Sequence, residues 1–214
     1  MHYFTCMTIK WIILDAMGVI YTKGDDLYDL LIPFIKEHDR DLSPEFIQDL
    51  YFEISLGKLS SKEFWDRLGL SKEYPDIEKE YLDKCLIIDP EFKRVGKEFK
   101  REYSLALLSN DVKEWSEYLR NKFEINDLFK TIIISGEVGL RKPDVRIFHL
   151  ILEKIQALPD ECIFVDDNLY NLKPASRLGM KTVRFTRDMA KIPSCSEFEV
   201  NSFSELRMIL NHFF

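Results

Sequence analysis

The segment IKWIILDAMG, residues 9–18, is the part of the sequence on which the fold prediction depends. Its apolar run, Ile9–Leu14, is too short for a buried helix and largely lacks an alternating polar face, which is typical of a strand buried on both sides of a parallel sheet. Asp15 ends the run. Because ligands of open parallel sheets bind just beyond the carboxyl ends of the strands, the segment predicts a buried first strand with Asp15 at the functional edge.

Four more short apolar runs follow along the chain, and amphipathic helix patterns alternate with them. The further predicted strands are Ser104–Leu108, Thr131–Ile134, Cys162–Val165 and Lys181–Phe185. The predicted helices are Asp111–Phe123, Pro143–Ile155 with Pro143 in the first helical position, and Leu172–Leu178, which Gly179 ends. This alternation predicts an α/β fold, a Rossmann-like parallel sheet built from right-handed βαβ units and flanked by helices.

Only helix patterns occur between Gly24 and Asp89. The four expected helices are Asp25–His38, Pro44 to near Gly57, a helix with the capping box Ser60–Glu63 that stops at Gly69, and roughly Pro75–Leu86. One crossover rarely needs so many residues. We therefore predict a small helical cap domain, residues 24–88, inserted after the first strand into a core formed by residues 1–23 and 89–214. Crossover helices packed on a face of the sheet are the alternative.

The composition is that of an ordinary globular protein. The 214 residues carry a net charge of −7, which argues against nucleic-acid binding, because that needs clustered positive charge. No apolar run is long enough for a membrane span or a signal peptide. The amphipathic stretch Phe203–Phe214 predicts a helix docked on the core. No C-x-x-C pair occurs among the cysteines, which favours reduced thiols at Cys6, Cys85, Cys162 and Cys195.

These features exclude some partners and leave others open. We expect a cytoplasmic protein that binds neither nucleic acid nor membrane. The sequence is compatible with a monomer or a homodimer.

Polar residues follow the other predicted strands at their carboxyl ends. Ser109 and Asn110 follow the second strand, Lys142 lies after the third, and Asp166 and Asp167 follow the fourth. Each signal alone has a structural explanation, such as a helix cap or a turn, although adjacent buried carboxylates repel and need a cation nearby. Together with the first aspartate they supply a nucleophile, hydrogen-bond donors, a fixed cation and oxygen ligands for a metal, which are the parts that phosphoryl transfer uses.

These residues, in this order, resemble the four sequence motifs of the haloacid dehalogenase-like superfamily of hydrolases. The segments GLRKPDVRIF, residues 139–148, and FVDDNLYNLKPASRLGM, residues 164–180, are similar to the branch with bacterial glucose-1-phosphatases and the N-terminal phosphatase domain of soluble epoxide hydrolase. The resemblance covers nearly the whole chain, including the helical insertion. It implies an enzyme that hydrolyses a small phosphorylated metabolite with the help of Mg²⁺.

The resemblance also implies roles for individual residues. Asp15 would attack phosphorus and form an aspartyl-phosphate. Ser109 and the backbone N–H of Asn110 would hold the phosphoryl oxygens, and Lys142 would neutralise their charge.

The resemblance implies a metal site at the same edge. Asp15, Asp167 and the backbone carbonyl of Met17 would bind Mg²⁺, and water molecules would complete the octahedron. Asp166 would bind the ion directly or through water. Asn171 stands where relatives often place another residue that supports the metal ligands.

Met17 departs from the family pattern, which places a second aspartate there as general acid and base. A thioether has no titratable proton, and loss of a positioned acid or base typically costs ~10²–10⁴-fold in rate. Three hypotheses follow: a phosphatase for substrates with good leaving groups or with a substitute carboxylate, another chemistry of the family such as phosphonatase or dehalogenase activity, and a catalytically weak phosphate-binding or regulatory module.

The residues that select the substrate are harder to identify. Candidates that directly follow the first motif are Tyr21, Lys23, Asp25 and Asp26. The two aspartates have a simpler interpretation as helix N-caps.

Overall fold

The structure is a computed structural model that describes residues 9–38, 41–187 and 198–211. Six strands form one sheet in the order β3-β2-β1-β4-β5-β6, and every neighbouring pair is parallel. The strands are β1 Trp11–Leu14, β2 Ser104–Ser109, β3 Thr131–Ile134, β4 Cys162–Asp166, β5 Lys181–Phe185 and β6 Phe198–Val200. The α/β prediction is confirmed, and only the three-residue edge strand β6 was not predicted.

The central strand β1 lies between β2 and β4, and its register sets the geometry of the site. Leu14 is level with Leu107 on one side and with Val165 on the other. The backbone N–H of Asp15 donates to the Val165 carbonyl at 2.9 Å. Asp15 therefore emerges beside Asp166 at the carboxyl edge of the sheet.

Helices cover both faces of this sheet. They are α1 Ile32–His38, α2 Pro44–Ile54, α3 Ser61–Arg67, α4 Asp76–Cys85, α5 Phe92–Glu102, α6 Lys113–Lys122, α7 Ser135–Val138, α8 Val145–Ile155, α9 Leu169–Arg177 and α10 Phe203–Leu210. Because successive side chains of a strand point to opposite faces, Ile13 packs in a cluster with Phe148 of α8. Ile12 lies in the other cluster, with Phe99 of α5. The sheet is thus buried on both sides.

The helices differ from the sequence prediction in several places. The short helix α7 was not predicted, and α9 begins at Leu169 and not at Leu172. Helix α8 begins at Val145 because the Asp144 side chain accepts a hydrogen bond from the Arg146 N–H, so Pro143 precedes the helix and is not its first residue. Helix α5 was not predicted. The predicted final helix is observed as α10, and its last predicted residues, 212–214, lie outside the described part of the chain.

Two of the four cysteines lie within the described residues. Cys85 and Cys162 are free, whereas Cys6 and Cys195 lie outside this part of the chain. No helix within the described residues has the length and apolar character needed to cross a membrane.

The helical segment, residues 24–88, contains the four expected helices α1–α4, preceded by a helical turn at Leu27–Leu31. Its capping box is present: Ser60 Oγ accepts from the Glu63 N–H at 3.2 Å, and Glu63 Oε2 accepts from the Ser60 N–H at 2.8 Å. Residues of this segment belong to the same apolar cluster as one face of the sheet. The boundaries of a separate cap domain stay a prediction.

Trp115 of α6 contacts several aromatic residues of the helical segment. Its ring lies 6.3 Å from Trp65 and 5.4 Å from Tyr81, measured between ring centroids. Glu78 Oε2 accepts hydrogen bonds from both indoles, at 2.9 Å from Trp65 and 2.7 Å from Trp115. One carboxylate thus links two buried tryptophans across the contact.

Replacing Glu78 with alanine is expected to lower the free energy of unfolding by about 2–4 kcal/mol, because two buried indole N–H groups lose a charged acceptor. Chemical denaturation with tryptophan fluorescence measures this change. Glu80 on the same helix pairs with Lys84 at the surface, and Glu80→Ala is the matched control, with a nearly unchanged midpoint expected. Equal stability of the two variants would contradict the role given to Glu78.

Candidate active site

The first site residue, Asp15, opens a wide turn at Ala16–Ile20. Its Oδ1 accepts from the Ala16 N–H at 2.7 Å, which fixes the carboxylate. The turn closes where the Tyr21 N–H donates to the Ala16 carbonyl at 2.8 Å. The Gly18 N–H donates to the Lys23 carbonyl at 2.7 Å, with Gly18 at a φ of 71° that favours glycine. Arg187 donates to the carbonyls of Gly18 and Val19 and pairs with Asp89. These contacts hold Asp15 in a defined position.

Lys142 is buried between two carboxylates. Its Nζ lies 2.8 Å from Asp15 Oδ1 and 2.7 Å from Asp166 Oδ2. Burial alone would lower the pKa of Lys142, but the two carboxylates raise it above its usual value. The Asn110 side chain fixes the backbone of Lys142, with its Nδ2 donating to the Lys142 carbonyl at 2.9 Å and its Oδ1 accepting from the Lys142 N–H at 2.8 Å. The ammonium is therefore charged and held in place.

Three carboxylates share this single ammonium. One oxygen from each of Asp15, Asp166 and Asp167 lies within 4.8 Å of the others. Burial raises the pKa of Asp15 well above its usual value against the charge of Lys142. Burial and the charge of Asp166 raise the pKa of Asp167 to about 7. The excess of negative charge at short range fits a site for a divalent cation.

The two adjacent aspartates differ in their surroundings. Asp166 is fully buried, and its oxygens accept from Lys142, from the Asn168 N–H at 2.8 Å and from Asn171 Nδ2 at 3.1 Å. Asp167 lines a cavity with Asp15. Asn171 therefore orients Asp166, and Asp167 is the more accessible of the two carboxylates.

Two glycines leave the space that Asp167 needs. A Cβ built on Gly18 would lie 2.3 Å from Asp167 Oδ2, and one built on Gly24 would lie 2.0 Å from the same atom. Both distances are far shorter than van der Waals contact. The chain within and after the turn thus packs directly against this carboxylate.

Ser109 ends β2 at the same edge of the sheet. Its hydroxyl is buried, and within the described part of the chain it has no hydrogen-bond partner. A buried hydroxyl without a partner is costly. Ser109 therefore has a free donor at the position predicted for phosphoryl binding.

A cavity of about 420 Å³ opens beside these residues, which is a usual size for a small-molecule site. Asp15, Met17, Asn110 and Asp167 form its floor, whereas Ser109, Lys142 and Asp166 do not line it. The helical segment supplies the opposite wall, with Gly24, Asp25, Asp26, Leu27, Tyr28, Gln48, Tyr51 and Phe52.

Aromatic residues surround this cavity, and the sequence did not single them out. Tyr28, Phe52 and Tyr170 line it, and their exposed fractions are 50%, 40% and 69%. The Arg141 guanidinium lies 5.0 Å from the centre of the Phe52 ring. These side chains meet only in the folded protein, because they come from separate parts of the chain.

The four candidates for substrate contact lie in different places. Tyr21 packs against Phe123 with 5.9 Å between ring centroids. Lys23 lines a neighbouring cavity on the other side of Asp167. Asp25 and Asp26 line the main cavity.

Comparison with known proteins identifies the family to which the chain belongs. A model of the haloacid dehalogenase-like hydrolase family matches residues 9–179. Sesquiterpene phosphatase astK of Aspergillus oryzae is 26% identical over 190 residues, covering 86% of this chain and 94% of that protein. Drimenol cyclase drtB of Aspergillus calidoustus is 32% identical over 177 residues, covering 78% of this chain, which spans only 34% of the cyclase.

The solved structures support the same fold. A haloacid dehalogenase-like phosphatase from Thermococcus onnurineus has a TM-score of 0.71 at 21% identity, over 94% of this chain and 98% of that one. The family model covers most of the chain and includes Asp15, Lys142 and the Asp166-Asp167 pair. The chain therefore belongs to the haloacid dehalogenase-like hydrolases.

Proposed function

We propose that this hydrolase is a magnesium-dependent phosphatase of small phosphorylated metabolites that works through an aspartyl-phosphate on Asp15. The observation that carries the proposal is the 2.8 Å contact of the buried Lys142 with Asp15, which forms part of the floor of the cavity. A buried carboxylate next to a fixed ammonium can accept an anionic phosphoryl group without a large change in its surroundings. The relative astK is named as a phosphatase, and this chain matches nearly its whole length.

The protein residues have separate tasks in this proposal. An oxygen of Asp15 forms a bond to phosphorus while the ester oxygen leaves, and water then attacks phosphorus and releases phosphate from Asp15. Lys142 offsets the negative charge of the phosphoryl group, and the free hydroxyl of Ser109 donates to one of its oxygens.

The carboxylate cluster fits Mg²⁺, because hard oxygen ligands and an excess of negative charge are what this ion requires. Asp15, Asp167 and the backbone carbonyl of Met17 would hold it, with Asp166 acting through its contacts with Lys142 and Asn171. When bound, the ion would offset the charge of the phosphoryl oxygens.

The substrate group beyond the phosphate is proposed to be apolar. Tyr28, Phe52 and Tyr170 line the cavity with exposed aromatic side chains, and such side chains are suited to apolar or aromatic groups. The name of astK includes a sesquiterpene, which is an apolar molecule of this kind.

Two other activities of the family fit less well. Dehalogenases of the superfamily typically carry a Ser-Ser-Asn sequence at the position where this chain has Asp166-Asp167-Asn168. A phosphonatase needs a lysine of the cap as a Schiff base, and none of the described residues that line the cavity is a lysine. A binding module without catalysis would not need a nucleophile at Asp15.

Mass spectrometry of the intact protein tests the proposal. Acetyl phosphate or para-nitrophenyl phosphate with millimolar Mg²⁺ is expected to add one phosphoryl group, and EDTA is expected to abolish both the adduct and phosphate release. A screen of prenyl, aryl and sugar phosphates then tests the apolar group, with higher kcat/KM expected for the first two classes. Neither an adduct nor turnover with any activated donor would favour the binding module.

A further inference from the structure

Because Met17 has no titratable proton, the proposed phosphatase reaction needs a proton donor elsewhere in the site. The residues that line the cavity include candidates for this role. Among the described residues that line the cavity, the carboxylates are Asp15, Asp25, Asp26 and Asp167. Asp15 is the nucleophile and Asp167 a metal ligand in the proposed function. The other two carboxylates, Asp25 and Asp26 of the helical segment, have no role in the proposed function.

Asp25 has a structural role. It is exposed, and its Oδ1 accepts a hydrogen bond from the Tyr28 N–H at 2.9 Å. This is the N-cap interaction expected of an acidic residue before a helix. The cap explains Asp25 without any reference to catalysis.

Asp26 differs from its neighbour in each of these respects. It precedes the turn Leu27–Leu31 directly, but its side chain makes no capping hydrogen bond. It is 9% exposed and still lines the cavity. The Tyr51 hydroxyl donates to its Oδ2 at 2.7 Å. A buried carboxyl group costs free energy, and helix capping does not account for its presence here.

The chain geometry places Asp26 close to the proposed reaction centre. The backbone at Gly24 packs so closely against Asp167 that a Cβ atom built on Gly24 would lie 2.0 Å from Asp167 Oδ2. Two residues further along the chain span at most about 7 Å. Asp26 and the floor residues Asp15 and Met17 also line one cavity of about 420 Å³.

The surroundings of Asp26 keep its proton available near neutral pH. Burial raises its pKa to about 6, against the hydrogen bond from Tyr51 and the charge of Arg141, which lower it. The other ionisable groups that interact with it are Asp25, Tyr81, Asp111 and Asp167. A pKa near the working pH suits a group that must both give and take a proton.

We propose that Asp26 is the catalytic acid and base of this enzyme, in place of the carboxylate that residue 17 lacks. This inference rests on the proposed phosphatase function. The protonated Asp26 donates its proton to the bridging ester oxygen as the bond between that oxygen and phosphorus breaks and the bond from Asp15 to phosphorus forms.

The second half of the reaction restores the proton. The Asp26 carboxylate accepts a proton from water as the water oxygen bonds to phosphorus and the bond to Asp15 breaks. Phosphate and the alcohol are the products, and both aspartates return to their starting states.

Asp26→Asn tests this role, because asparagine keeps an oxygen for the Tyr51 hydrogen bond and lacks the acidic proton. With hexyl phosphate, a poor leaving group, kcat is expected to fall by ~10²–10⁴-fold. With para-nitrophenyl phosphate, the first burst of nitrophenolate should keep its rate and amplitude, because nitrophenolate leaves without a proton. Steady-state turnover after the burst should fall, and the phosphoryl adduct should accumulate.

The burst also counts correctly folded active sites, so a folding defect cannot imitate the result. Asp29→Asn, at an exposed residue on the same turn and outside the cavity wall, is the matched control and should behave as the wild-type protein. Equal losses in the burst and with hexyl phosphate, or no loss with hexyl phosphate, would overturn the role of Asp26. A wild-type protein that forms no adduct would instead overturn the phosphatase proposal itself.

Discussion

Asp15→Asn is expected to lower phosphate release on the order of 10⁴-fold or more, as removal of a covalent nucleophile does in other hydrolases. The amide oxygen cannot form the bond to phosphorus, although it can keep the hydrogen bond from the Ala16 N–H. Loss of one of three clustered carboxylates also reduces their mutual repulsion. The variant should therefore fold and bind phosphate while it neither turns over nor gains a phosphoryl group.

Release of phosphate from an activated donor, together with the intact mass, measures this effect. Circular dichroism and the unfolding midpoint control for the fold. Turnover that survives in Asp15→Asn would show that another group is the nucleophile.

Lys142→Met is expected to have the second-largest effect, on both activity and stability. The substitution leaves Asp15 and Asp166 buried without their shared cation, and removal of one partner of a buried ion pair typically costs about 3–5 kcal/mol. The phosphoryl group also loses its fixed positive charge, for which a fall in kcat of ~10²–10³-fold is typical. Denaturant titration and a phosphatase assay measure the two losses.

Lys154→Met is the matched control, because Lys154 is an exposed residue of helix α8, the helix that follows Lys142. It should change neither the unfolding midpoint nor turnover. If Lys142→Met were as stable and active as this control, the charge balance described for the cluster would be wrong.

The sequence predicts the sheet and its charged edge well, for a physical reason. Strands buried on both faces are short apolar runs, and the residue after each run lies at the same edge. The strand pattern therefore predicts that Asp15 and Asp166 lie at one edge, and the contacts of Lys142 with both, at 2.8 Å and 2.7 Å, agree with this. The capping box at Ser60 is predicted for a similar reason, since both of its hydrogen bonds are local.

Some elements of the fold were missed. Helix α5 was not predicted, although its buried residues Phe92, Val95 and Phe99 have helical spacing, and only Gly96 in its middle disfavours a helix. Strand β6 has only three residues.

The cavity wall was beyond sequence analysis because its members are far apart in the chain. Phe52 of helix α2 and Tyr170 of helix α9 line the same cavity only in the folded chain. Asp26 looked like a helix cap, and only the folded structure distinguishes it from Asp25, by its burial, its hydrogen bond with Tyr51 and the absence of a capping hydrogen bond.

The burial of Trp115 in the cluster shared by the sheet and the helical segment bears on how the enzyme exchanges its ligands. A rigid-body hinge opening would expose this indole and its aromatic neighbours. A tryptophan buries about 150–250 Å², so exposing it costs roughly 4–6 kcal/mol, and such an open state would be populated at only about one part in a thousand or less. Substrate and product are therefore expected to pass between the exposed rings of Tyr28 and Tyr170. The width of this passage would then limit the size of the substrates that the enzyme hydrolyses.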